Sequence, residues 1–102
     1  MEPRFHLAIP VHDLAAARAF YGELLGCTEG RSAAAWVDFD LRGHQLVCHL
    51  VERRPQAAVK NAVDGDAVPV PHFGLVLPLA DWQALAERLM AAGVRFEIAP
   101  RM

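Results

Sequence analysis

The chain has 102 residues, enough for one domain that buries about 60–68% of its unfolded surface. With 54% hydrophobic and 22% charged residues it lies outside the compositional range of disordered chains, and a formal net charge of −2 gives no field to attract phosphates. Its basic residues are scattered, so nucleic acid is excluded as an expected partner. No apolar run approaches the ~20 residues needed to cross a bilayer, and the polar start Met1-Glu2-Pro3-Arg4 lacks the features of an export signal. A cytoplasmic location without membrane contact is the expectation. Cys27 and Cys48 lack the number and spacing of a disulfide framework and read as reduced structural thiols.

The first predicted strand is Phe5 to Pro10, with His6, Ala8 and Pro10 on one face and Phe5, Leu7 and Ile9 on the other. A helix follows from about Asp13 to Leu25. Asp13 is a suitable N-cap, and Leu14, Ala17, Phe20 with Tyr21, and Leu24 with Leu25 recur at helical spacing. Gly26 supplies the left-handed residue beyond its end. Cys27 to Ser32 reads as a short strand or turn. From Ala34 to Leu41 the pattern alternates, with Val37, Phe39 and Leu41 opposite Trp36, Asp38 and Asp40. Arg42-Gly43 turns the chain into a returning strand, His44 to Val51, where Leu46, Cys48 and Leu50 oppose Gln45, Val47 and His49.

Residues 52–70 change character. Glu52-Arg53-Arg54-Pro55, Asp64-Gly65, Pro69 and Pro71 mark a polar connection with turns, expected to be a long crossing loop. The pattern then restarts. His72 to Leu77 is a predicted strand with His72, Gly74 and Val76 opposite Phe73, Leu75 and Leu77. A helix capped by Asp81 follows to Ala92, with Trp82, Leu85, Ala86, Leu89 and Met90 as its apolar face, then Gly93 and a further predicted strand, Val94 to Ile98.

Two strand-helix units about 66 residues apart constitute an internal repeat. The fold class expected is therefore α+β, built from paired βαβββ modules. Module one runs over about 4–51, the connection over 52–70, and a second, incomplete module over 71–102, all within one domain. The two strands that a full second copy would add after Ile98 are not among these residues. An approximate two-fold between modules would bring His6 and His72 to one cleft. Histidine is the commonest metal ligand, and two imidazoles with a carboxylate suit non-haem Fe²⁺.

The stretch Phe-His-Leu-Ala-Ile-Pro-Val-His-Asp-Leu-Ala-Ala-Ala-Arg-Ala-Phe-Tyr-Gly-Glu-Leu-Leu-Gly at 5–26 resembles the opening of a vicinal oxygen chelate protein. This is the superfamily of glyoxalase I, bleomycin-resistance proteins and type I extradiol dioxygenases. The resemblance extends through Trp36-Val-Asp-Phe, Gly43-His-Gln-Leu-Val and Pro71-His-Phe-Gly to Ala92-Gly-Val. It implies that His6 and His72 are metal ligands. In dioxygenase-like members a third ligand is a glutamate on the last strand of the second module, and no residue here matches it. Lyase-type members usually carry a carboxylate on the fourth strand of the first module, where this chain reads His44-Gln45-Leu46-Val47-Cys48-His49.

That difference favours an extradiol dioxygenase acting on a catechol-like small molecule with Fe²⁺. The alternatives are a glyoxalase-like lyase or isomerase using Zn²⁺, Mn²⁺ or Ni²⁺, and a non-enzymatic ligand-binding module. His49 is the candidate catalytic base, with a cross-strand hydrogen bond to Asp38 or Gln45 as its other reading. Trp36, Asp38 and Gln45 are the candidate substrate-binding residues. His12 and His44 read as surface residues and Tyr21 as helix packing. An incomplete second module exposes strand edges, so a homodimer is expected.

Overall fold

A computed structural model describes residues 2–52 and 59–101 and divides the chain into two units, one within residues 1–55 and one within 56–102. The first is a βαβββ module: β1 (His6–Val11), helix α1 (14–24), β2 (Thr28–Ala33), β3 (Trp36–Leu41) and β4 (His44–Leu50). The strands form one sheet in the order β1-β4-β3-β2, with β1 parallel to β4 and the other pairs antiparallel. Pro10 fits within β1 because that strand is at the edge of this sheet, where a missing N–H need not break a ladder. At the β3–β4 hairpin Arg42 and Gly43 have φ of 54° and 89°, the doubly left-handed turn whose twist matches two antiparallel strands.

Asp13 caps α1 as expected, its carboxylate accepting the Ala16 N–H at 3.0 Å. The helix is α-wound over Leu14–Ala17 and then widens to π winding over Arg18–Leu24. The Leu25 N–H donates to the Phe20 carbonyl at 2.9 Å, and Gly26 ends the element with φ 75°. The wider turn explains a departure from the expected apolar face. Ala17, Tyr21 and Leu25, four residues apart, pack on the core, whereas Phe20 swings outward and remains exposed. Phe20 instead meets Tyr21 edge to face at 5.0 Å.

The core lies between α1 and one sheet face. Ala17, Cys27, Val37, Phe39 and Cys48 are buried, with Ile9, Val11, Leu14, Tyr21, Leu25 and Leu41 packed around them. Alternation in β3 holds as read: Val37 and Phe39 are buried, and Trp36, Asp38 and Asp40 occupy the other face. Phe5 departs from expectation; it precedes β1 and is 66% exposed. Cys27 and Cys48 are free, and burial raises both thiol pKa values, so the protonated form persists at neutral pH.

The second unit differs more from the sequence reading. The expected crossing loop contains a hairpin, β5 (Val59–Val63) and β6 (Asp66–Val70), closed by Asp64 and Gly65 at φ of 49° and 85°. Asp64-Gly65 makes a turn as expected, whereas Pro69, expected to mark the connecting loop, lies inside β6; a two-stranded ribbon tolerates it because each strand has a free side. Arg53, Arg54 and Pro55 of the expected turn lie outside the described residues.

The predicted strand at 72–77 does not form. Phe73 and Leu75 are exposed, and among the described residues no strand pairs with this segment, so its alternation has no ladder to act on. Helix α2 (Leu79–Ala91) begins earlier than expected, with Pro78 at the N-cap and Asp81 inside the first turn, where its charge still suits the helix dipole. Trp82, Leu85, Ala86 and Leu89 turn inward as expected, but Met90 is exposed. Gly93 (φ 73°) and Val94 close the helix by donating to the Met90 and Leu89 carbonyls at 3.1 and 3.2 Å, a Schellman ending. Val94 to Ile98 is irregular rather than a strand, and this tail is tied to the hairpin by Lys60–Glu97 and Arg101–Asp66 ion pairs.

Candidate functional site

The sheet face opposite α1 carries the polar residues of the first module. The register sets them in rows: His6 beside Gln45 and Asp40, Ala8 beside Val47 and Asp38, and Pro10 beside His49 and Trp36. Small side chains on β1 leave His6 exposed at one end of this face.

Three expected site residues are brought together by hydrogen bonds. His6 Nδ1 lies 2.8 Å from Gln45 Oε1, and Gln45 Nε2 donates to Asp38 Oδ2 at 3.3 Å. Asp38 Oδ1 accepts the Arg31 N–H at 2.7 Å. Glycine at position 30 leaves room for this carboxylate: a Cβ there would lie 2.4 Å from Asp38 Oδ1 and the carboxylate would have to shift. A cavity of about 480 Å³ opens here, lined by Arg4, Thr28, Arg31, Asp38, His44 and Gln45 among others.

His49 and Trp36 are neighbours on the same face but at its other end, outside that cavity's lining. His49 is exposed, and Gln45 and Asp38 engage His6 and Arg31 instead of bonding to it. Trp36 is half-buried, with the Arg31 guanidinium 5.9 Å from its ring centroid. Arg31, Thr28 and His44 were not among the expected site residues. His44 accepts the Phe5 N–H at Nδ1, 3.0 Å away, which fixes its ring at the cavity rim. The Glu29-Gly30-Arg31 stretch was visible in sequence, but only the β2–β3 pairing shows which face it serves.

His72 belongs to the second unit. Its Nδ1 is 2.7 Å from the Pro69 carbonyl oxygen. A carbonyl can only accept, so Nδ1 carries the proton and a neutral ring presents its lone pair at Nε2. Among the described residues no group of three His, Cys, Asp or Glu side chains forms a site for a metal ion, and no helix is long and apolar enough to cross a membrane.

Comparison with solved structures finds the same fold repeatedly. A glyoxalase/bleomycin resistance protein/dioxygenase from Alicyclobacillus acidocaldarius is 32% identical, with a TM-score of 0.71 over 89% of this chain and 64% of its own. The present chain thus spans somewhat under two thirds of that protein's length. The fosfomycin resistance protein FosX of Listeria monocytogenes (17% identity, TM-score 0.72, 100% of this chain and 75% of its own) shares the fold. So does the lactoylglutathione lyase of Agrobacterium tumefaciens (20%, 0.63, 100% and 78%). No curated protein matches significantly. The family model for the Glyoxalase/Bleomycin resistance protein/Dioxygenase superfamily matches residues 5–102, nearly the whole sequence, and the chain belongs to that superfamily.

Proposed function

We propose that the protein is a metal-dependent enzyme acting on a small molecule with adjacent oxygen atoms, an extradiol-type dioxygenase, with His6 and His72 as metal ligands. The observation that carries this reading is the matching state of the two rings. In each, Nδ1 is held by a hydrogen-bonding oxygen, Gln45 Oε1 for His6 and the Pro69 carbonyl for His72, and Nε2 is the atom left to bind a metal. Neutral imidazole donors of this kind fit a divalent ion, Fe²⁺ foremost, with Zn²⁺, Mn²⁺ and Ni²⁺ as the alternatives.

A bound divalent ion supplies Lewis acidity, stabilising negative charge on substrate oxygens. The chain's own residues do the rest. His49, exposed on the same sheet face as His6, is the base that takes a proton from a substrate hydroxyl, since imidazole moves protons effectively near neutral pH. Trp36 offers a flat wall beside His49, while Gln45 and Asp38 line the cavity next to His6.

A glyoxalase-like lyase is the second reading, favoured by the fold shared with a lactoylglutathione lyase. Oxygen uptake separates the two. The full-length protein loaded with Fe²⁺ is expected to consume O₂ with at least one member of a catechol panel; metal-dependent turnover without O₂ uptake would favour the lyase. Tight ligand binding unchanged by a chelator would overturn both in favour of a binding module. The protein is also proposed to be a homodimer, a form in which exposed apolar side chains such as Phe73, Leu75 and Val76 gain cover. Light scattering is expected to give twice the chain mass, and a monomer at micromolar concentration would refute this.

A further inference from the structure

Resting on the reading of His6 as a metal ligand, we infer that Asp38 and Gln45 are positioning residues that select which nitrogen of His6 is free. The donors and acceptors run outward from Arg31. Its backbone N–H can only donate, so Asp38 Oδ1 accepts it, at 2.7 Å. The other carboxylate oxygen, Oδ2, is also an acceptor, so the Gln45 amide must turn its NH₂ toward Asp38. That leaves Gln45 Oε1 facing His6 Nδ1 at 2.8 Å. An amide oxygen only accepts, so Nδ1 holds the ring proton and Nε2 presents the lone pair. A fixed backbone donor on β2 thus sets the tautomer of a side chain on β1, through β3 and β4. Gly30 belongs to the device, since any Cβ there would displace the carboxylate that begins it.

Asp38→Asn tests the direction of the relay without changing its shape. The substituted amide must keep its oxygen toward the Arg31 N–H, so its NH₂ faces Gln45; the Gln45 amide then flips and offers NH₂ to His6. Nδ1 becomes the acceptor and Nε2 takes the proton. Long-range ¹H–¹⁵N spectra of the metal-free full chain, recorded well above the ordinary histidine pKa, read this directly. Wild type is expected to show a protonated Nδ1 at His6, and Asp38→Asn a protonated Nε2. Asp38→Asn combined with Gln45→Glu is expected to restore the wild-type form, because a carboxylate at position 45 can accept from both neighbours. Gln45→Leu, at an exposed position, gives a second route if Asp38→Asn folds poorly, and is expected to release His6 to the Nε2–H form that free histidine prefers.

A wild-type ring protonated at Nε2, or a tautomer unmoved by Asp38→Asn, overturns the inference. Titration with Zn²⁺ alone provides the separate readout. Asp38→Asn is expected to weaken binding about 10–100-fold, with recovery in the double variant. A tautomer that switches while Zn²⁺ affinity stays constant would uphold the relay and instead remove His6 from the proposed ligand set.

Discussion

Phe39→Ala is expected to cost about 3–5 kcal/mol of stability, a large share of the roughly 5–15 kcal/mol that holds a domain of this size folded. Phe39 is 2% exposed and lies at the centre of the buried cluster between Val37, Cys48 and α1. Its ring centroid is 5.7 Å from that of Tyr21, so truncation removes an aromatic contact as well as leaving a void. The β3 backbone is held on both sides by β2 and β4 and cannot collapse into the space. Phe5→Ala is the internal control. That side chain is 66% exposed and should change stability by less than about 0.5 kcal/mol. Urea unfolding of both variants checks the pair, and equal effects would refute the placement of the core.

His6→Ala and His72→Ala are each expected to abolish most divalent metal binding by the full-length protein, with loss of any metal-dependent turnover. Both side chains are exposed, so neither substitution removes core packing, and folded variants are expected. His12→Ala serves as the comparison because it too removes an exposed imidazole, one residue before the Asp13 cap. Metal content after dialysis against Fe²⁺ or Zn²⁺ is the measurement. Equal losses from all three substitutions would mean that bulk histidine content, not these two positions, governs uptake.

The first module was nearly complete in the sequence because every one of its elements carries its own local signal. Asp13 marks a helix start, Gly26 and Arg42-Gly43 demand left-handed backbone, and the alternation of Val37 and Phe39 with Asp38 and Asp40 orients a strand. The second unit lacked that redundancy. His72 to Leu77 alternates convincingly, yet alternation states only which face would be apolar; a strand also needs a partner. Pro69 concealed β6 because its cost depends on which side of the ribbon is paired. The π winding of α1 was invisible for a related reason: three- and four-residue spacings fit both windings until packing against Phe39 chooses between Phe20 and Tyr21.

The site was legible as residue types but not as connections. His6, Gln45 and Asp38 could each be placed on one face by period, and the resemblance singled out His6. Their relay could not be read, because it depends on strand register across four strands and on the absent side chain of Gly30. Membership of the superfamily, by contrast, is carried by nearly the whole sequence, residues 5–102, and not by the site alone.

The two cysteines gain a use from their burial. With Cys48 fully enclosed and Cys27 nearly so, and both thiols kept protonated, a thiol-modifying reagent meets neither in the closed molecule. Modification must wait for the first module to open, so its rate counts opening events much as amide exchange does. The native thiols thus time the breathing of that module, with no engineered cysteine needed.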